Sequence, residues 1–200
     1  MHQVESVLVT ERLALRPFTG ADAERLLVLD GDPQVMRFLD SAAKTLAQVR
    51  AEVLPGLLAY HTHHRDFGFW VAETRSGREF IGWFGLRPVT PIAAAVVDWP
   101  DAPPGNISVA ELGYRLRRSA WGKGYATEGA RALVRRAFAE LGVTQVVATT
   151  MAVNIASRRV LEKVGLRCVR TVYLDWPNPL PGNEHGEVEY QLERNDWCPE

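Results

Sequence analysis

Little in this chain points to metal ions, disulfides or a bilayer. Two cysteines, Cys168 and Cys198, stand in 200 residues, and their spacing suits neither a zinc site nor a disulfide framework. His61, His63 and His64 crowd together, yet no Cys or carboxylate falls at a recognised zinc spacing from them. A solvated helix end accounts for them, and no metal is expected. An excess of one charge is also missing. Lys and Arg number 23 against 24 Asp and Glu, a net charge of −1, so bulk electrostatics argues for neither nucleic acid nor a membrane surface as partner. The apolar run Ile92–Val97 is far too short to span a bilayer. Met1-His2-Gln3-Val4-Glu5 is polar, unlike a secretory leader, and a reduced, cytoplasmic setting is the expectation. Neither common nucleotide loop occurs: there is no G-x-x-x-x-G-K-[ST], and Gly122-x-Gly124 is followed by Thr127 where G-x-G-x-x-G needs glycine. No repeat, linker or low-complexity tract breaks the chain, so residues 1–200 read as one domain, large enough for a real core.

What is present centres on Trp121-Gly122-Lys123-Gly124-Tyr125-Ala126-Thr127-Glu128-Gly129. A strand-like segment, Ile107 to Leu116, leads into it. An amphipathic helix over about 124–141 leaves it, with Ala126, Ala130, Leu133, Val134, Ala137, Phe138 and Leu141 on the apolar side and Arg131, Arg135, Arg136 and Glu140 opposite. Two glycines thus stand where a strand turns into the first turn of a helix. Backbone N–H groups there have no intrahelical partner and lie at the positive end of the helix dipole, which suits a phosphate or diphosphate.

Elsewhere the pattern is of strands and short helices. Leu8 to Pro17 reads as a first strand, Leu13 and Leu15 alternating with Arg12 and Arg16 on a solvated face. Thr19 is an N-cap candidate for a helix carrying Leu26, Leu27 and Leu29, and a short helix follows Asp32-Pro33. A longer helix covers about Leu46 to His64, and Pro55 should break or kink it. Phe67 to Glu73 and Phe80 to Leu86 read as a hairpin turning through Thr74–Gly77, with the glycine supplying the turn. Residues 88–108 hold five of the twelve prolines; a loop this long either serves the site or is a surface insertion. Gln145 to Met151 is a short β-branched run suited to a buried parallel strand. Asn154 caps a helix from Ile155 to Val164, striped by Ala156, Val160 and Val164 and stopped by Gly165. Leu166 to Trp176 and Glu187 to Glu193 are the last strands. In the second, Glu187, Glu189, Gln191 and Glu193 point outward as a solvated edge.

Among candidate chemical groups, Glu111 interrupts the apolar row of the fourth strand. A carboxylate there is costly unless paired; it is either a general base for an amine or half of an ion pair with Arg115 or Arg117. Asp175, Glu184, His185 and Glu187 cluster near the last loop, where an acidic rim would draw a cationic amine.

The glycine stretch resembles the coenzyme-binding turn of the GNAT superfamily of N-acetyltransferases, Q/R-x-x-G-x-G/A. Trp121 replaces the first Gln or Arg, as in the branch holding the ribosomal-protein N-terminal acetyltransferases. Thr10-Glu11-Arg12-Leu13-Ala14-Leu15-Arg16-Pro17 resembles the opening of the same branch, and Asn154 to Leu166 resembles the second coenzyme-contact segment. This resemblance implies an α+β fold: a central, mostly antiparallel sheet with a splayed parallel strand pair, flanked by helices. It implies acetyl-CoA as cosubstrate, contacted by Leu112, Gly113, Trp121, Gly122, Lys123, Gly124, Tyr125, Ala126, Thr127, Asn154 and Ser157. It implies Glu111 as the base, and an acceptor region including the helices of about 30–65. Asp175, His185 and Glu187 are the candidates for holding the amine. The Tyr that protonates the thiolate in many relatives is Leu161 here, which leaves Ser157 as the one hydroxyl offered by that helix. An α-amine, with a pKa of ~7.8, costs roughly 1 kcal/mol to deprotonate at pH 7, and a lysine about 4.6, so one Glu base suits a weakly basic amine. The acceptor is expected to be a peptide N-terminus or a small-molecule amine, and a homodimer is compatible. Three other readings stay open: a non-catalytic coenzyme- or partner-binding module, a protein using the glycine turn for ATP, and transfer of another acyl group such as succinyl.

Overall fold

The computed structural model describes residues 8–39, 44–63, 66–89 and 107–198, with the side chains of 61–63 left aside. Eight strands run as β1 (Leu8–Val9), β2 (Leu13–Pro17), β3 (Gly68–Thr74), β4 (Phe80–Pro88), β5 (Val109–Leu116), β6 (Gln145–Met151), β7 (Arg167–Val172) and β8 (Glu187–Glu193). They form one mixed sheet in the order β1-β2-β3-β4-β5-β6-β8-β7. β5 and β6 are its one parallel pair, as the α+β expectation requires. That pairing ends at Glu111 opposite Val147, although β5 continues to Leu116 and β6 to Met151. The expected insertion falls mostly on residues 90–106, and the histidine side chains on 61–64; both lie outside the described residues.

Chain contacts group into two compact units, one from the described residues of 1–85 and 113–132, the other from those of 86–112 and 133–200. In the first, α1 (Ala23–Asp30) and α2 (Pro33–Met36) cover an apolar cluster including Phe18, Leu26, Leu29, Val49, Phe69 and Val71. Asp32 caps α2 by accepting from the Gln34 N–H. The break expected at Pro55 takes another form. α3 (Leu46–Gln48) passes into a π-helical stretch, Val49–Val53, and then α4 (Leu54–His63). Pro55 thus falls where the π-helical stretch passes into α4: the Leu54 N–H reaches back five residues to the Val49 carbonyl, and the widened turn takes the proline ring without ending the helix.

Two further expectations are corrected in this unit. The hairpin glycine does not supply the left-handed residue: Arg78 does, at φ 51. The loop between Thr74 and Phe80 is longer than a two-residue turn, and its left-handed residue falls at the loop's end. Arg16, placed on a solvated face, is instead buried. Its guanidinium donates to both Asp22 oxygens at 2.9 and 2.7 Å and to Glu73 Oε1 at 3.2 and 3.1 Å. Burial works against the charge on Asp22, but the hydrogen bonds from Arg16 and Thr19 outweigh it and hold the carboxyl below its usual range.

The long helix, α5 (Tyr125–Ala139), buries Ala130, Leu133, Val134, Ala137 and Phe138 as its periodicity requires. Arg136, assigned to its solvent face, is buried as well, with Glu140 at 3.8 Å. It lies three residues beyond Leu133, on the flank of the buried arc.

In the second unit α6 (Ile155–Val164) has the expected ends. Asn154 Oδ1 accepts from the Ser157 N–H at 3.3 Å, and Gly165 closes the helix at φ +100. Its buried stripe is Leu161 and Val164, while Ala156 is exposed. β7 is shorter than expected because its pairing with β8 runs out at Val172 opposite Glu187. β8 is no edge: it lies between β6 and β7. Glu189, expected outward, is consequently buried and held by Arg170 Nε at 2.6 Å.

Candidate active site

The glycine turn is built from both ends. β5 is followed by a 3-10 turn, Arg118–Ala120, and Trp121 then returns its indole Nε1 to the Leu116 carbonyl at 2.8 Å. So the residue standing in place of Gln or Arg closes the turn against its own entry strand. Gly122 and Gly124 follow at φ +72 and +82, a region other residues adopt at a cost. The Glu128 N–H then donates the helix's first bond to the Gly124 carbonyl, at 3.0 Å. By helix geometry the amides just before it have no carbonyl behind them. Residues 121–124 are exposed and 125–127 half-buried. This surface fits a diphosphate: exposed N–H donors, an exposed Lys123, and the N-terminus of a 15-residue helix.

Leu112 and Gly113 lie just beyond the last β5–β6 pair. Leu112 is buried and Gly113 half-buried. A Cβ at Gly113 would make only ordinary contact, 3.9 Å from the Trp83 ring, so sterics do not demand glycine there.

Glu111 is buried and paired, though neither Arg115 nor Arg117 is its partner. Arg87 is, reaching Oε2 with Nε at 2.9 Å and Nη2 at 2.7 Å. Arg115 pairs instead with Asp30 at 2.5 Å, and Arg117 donates to the Phe80 carbonyl at 3.3 Å. Among the described residues no hydrogen bond reaches Glu111 Oε1.

On α6, Asn154 also donates from Nδ2 to Thr150 Oγ1 at 3.1 Å, so both ends of its amide serve the cap. Ser157 is half-buried. Leu161 is fully buried, a core residue with no proton to give. A hydroxyl the sequence did not single out lies against the same helix. Tyr190, fully buried, donates to Glu162 Oε1 at 2.8 Å and accepts from Arg158 Nε at 3.1 Å. Arg158 in turn reaches the Ala152 carbonyl at 3.0 Å. Burial raises the Tyr190 pKa, so this phenol is a clamp on α6. Only the buried alternation of β8 marked it in the sequence.

The expected acidic rim is not drawn together by hydrogen bonds. Asp175 is exposed in the loop after β7. His185 is exposed, 3.6 Å from Glu184. Glu184 is committed to the Gly182 N–H at 2.8 Å, and its carboxyl is held low by that bond and its own backbone. Glu187 differs: it is half-buried, and burial pushes its carboxyl up to about 7.

Strand order, the parallel pair and the glycine turn define an acetyltransferase-type α+β fold, and comparisons with known proteins agree. The coenzyme A complex of RimL, a ribosomal-protein alpha-N-acetyltransferase, has the same fold: TM-score 0.73, 19% identity, 94% of this chain and 98% of that one. Aminoglycoside acetyltransferase AAC(6')-Ib with coenzyme A matches at TM-score 0.67 and 22% identity, over 92% of this chain and 96% of that one. The family model for the acetyltransferase (GNAT) domain matches residues 12–167. FsC-acetyl coenzyme A-N(2)-transacetylase of Aspergillus fumigatus is 35% identical over 195 residues, 98% of this chain and 79% of that protein. The chain belongs to the GNAT acetyltransferase family and is an acetyl-CoA-dependent N-acetyltransferase. Among the described residues no helix is long and apolar enough to cross a membrane.

Proposed function

We propose that this chain acts as one GNAT domain, transferring the acetyl group of acetyl-CoA directly to a primary amine, on a small molecule or a peptide N-terminus. The observation that carries the reading is the turn at 121–127, with two left-handed glycines opening onto a helix N-terminus. Its backbone amides and Lys123 take the diphosphate. Asn154 and Ser157 contact the coenzyme from α6, and the Leu112 and Gly113 backbone polarises the thioester carbonyl. Glu111, held in place by Arg87, takes the amine proton through its remaining oxygen. Ser157 offers the hydroxyl of α6 to the departing thiolate, Leu161 being core. Asp175, His185 and Glu187 face the acceptor amine. A nitrogen acceptor accords with the N(2) transfer named for the 35% identical relative.

Calorimetric titration tests this, with acetyl-CoA, succinyl-CoA and ATP run in parallel. Acetyl-CoA should bind and ATP should not. Gly124→Val should abolish coenzyme binding while cooperative unfolding persists, because a Cβ there needs a strained φ of +82 and meets Arg12 at 3.3 Å. Unaltered affinity in Gly124→Val would refute the assignment of the turn.

A further inference from the structure

We infer that Arg12 is the positioning residue of the coenzyme turn, acting through Glu128 and the Lys123 carbonyl; this rests on the diphosphate reading above. In the sequence Arg12 stands only as part of the opening strand's solvated face. In the fold it lies directly over the turn. Its Nε donates to Glu128 Oε2 at 2.6 Å, its Nη2 stands 2.6 Å from the same oxygen, and its Nη1 donates to the Lys123 carbonyl at 2.9 Å. The guanidinium stacks over the Tyr125 ring at 4.7 Å. Its own backbone N–H and the Thr10 hydroxyl both donate to Glu128 Oε1, at 2.8 and 2.5 Å.

Two consequences follow for an anion at the turn. The peptide between Lys123 and Gly124 is planar and trans, so its C=O and N–H point opposite ways. Holding the Lys123 oxygen toward Arg12 aims the Gly124 N–H away from Arg12, as a donor to whatever occupies the turn. Glu128, meanwhile, is a carboxylate in the first turn of α5. Burial opposes its charge, yet the hydrogen bonds from Thr10 and Arg12 prevail and keep it ionised, with a lowered pKa. A bare carboxylate beside a diphosphate would repel it. Arg12 neutralises that charge and faces it toward β2.

The test is the ratio of kcat/KM for acetyl-CoA to kcat/KM for S-acetylpantetheine, a donor with the thioester but no diphosphate. In Arg12→Ala this ratio should fall about tenfold or more, chiefly through KM for acetyl-CoA, the scale of one lost charge-assisted hydrogen bond. Removing Glu128's charge as well, in Arg12→Ala/Glu128→Gln, should restore part of it. If Arg12→Ala loses cooperative unfolding, Arg12→Lys replaces it. That variant keeps the charge but lacks the planar fork that bridges Glu128 and the Lys123 oxygen, and its ratio should fall less. An unchanged ratio in a folded variant, with both donors slowed equally, would overturn the inference and leave Arg12 a structural residue. A wild-type ratio near one would instead overturn the diphosphate reading, and the inference with it.

Discussion

Glu187 should make this protein less stable as pH rises through the weakly acidic range. It opens β8, opposite Met151 on β6 and Val172 on β7. Among the described residues no cation or hydrogen-bond donor meets its carboxylate. Glu189, two residues on, is more deeply buried but has Arg170 at 2.6 Å. Burial alone therefore raises Glu187 from 4.5 to about 7. The unfolded chain releases this proton near 4.5, while the folded chain holds it to about 7. Between those values the folded state binds more protons, so stability declines as pH increases. The gap is worth at most about 3.4 kcal/mol, and screening by the solvent that reaches a half-buried group brings it to roughly 1–2 kcal/mol. Glu187→Gln cannot titrate. Urea unfolding of both proteins at pH 4.5, 6 and 8 should show the variant gaining roughly 1–2 kcal/mol on the wild type between the first and last pH. Stability curves that stay parallel, or a wild type that gains on the variant as pH rises, would refute the reasoning.

Two other substitutions probe the site and its support. Glu111→Gln should lower kcat and flatten the acidic limb of the pH–rate profile; an unchanged limb would leave Glu111 as the partner of Arg87 and nothing more. Gly129→Ala should destabilise by about 1–3 kcal/mol in thermal or urea unfolding, although alanine favours helix by about 1 kcal/mol. The new Cβ would lie 2.3 Å from the Phe84 ring, which is fully buried. A neutral or stabilising result would refute that close packing, and Phe84→Leu should relieve the defect.

What local chemistry dictates was legible. The span and both caps of α6 follow from Asn154, its apolar residues and Gly165, all within a dozen positions. β6 matches its β-branched run from Gln145 to Met151. The glycine turn was readable because left-handed glycines before an amphipathic helix form a contiguous signal. Faces were harder. Alternation along Glu187–Glu193 distinguishes two sides of a strand but cannot say that both are covered, since that depends on β8 lying between β6 and β7. The stripe on α6 slipped to Leu161, buried while Ala156 is exposed, because which arc of the helix is covered depends on the strands it packs against, β6 and β7.

Most of the elements, the glycine turn and the family likeness were already legible along the chain, because each rests on residues close together whose backbone preferences act over one or two turns. The partners of the charges depend on the folded arrangement. Glu111 is met by Arg87 from 24 positions away, Glu128 by Arg12 from 116, and Arg16 by Glu73 from 57. Buried charges must be paired at contact distance, and which cation comes within that distance is set by strand order and register, which no local pattern encodes.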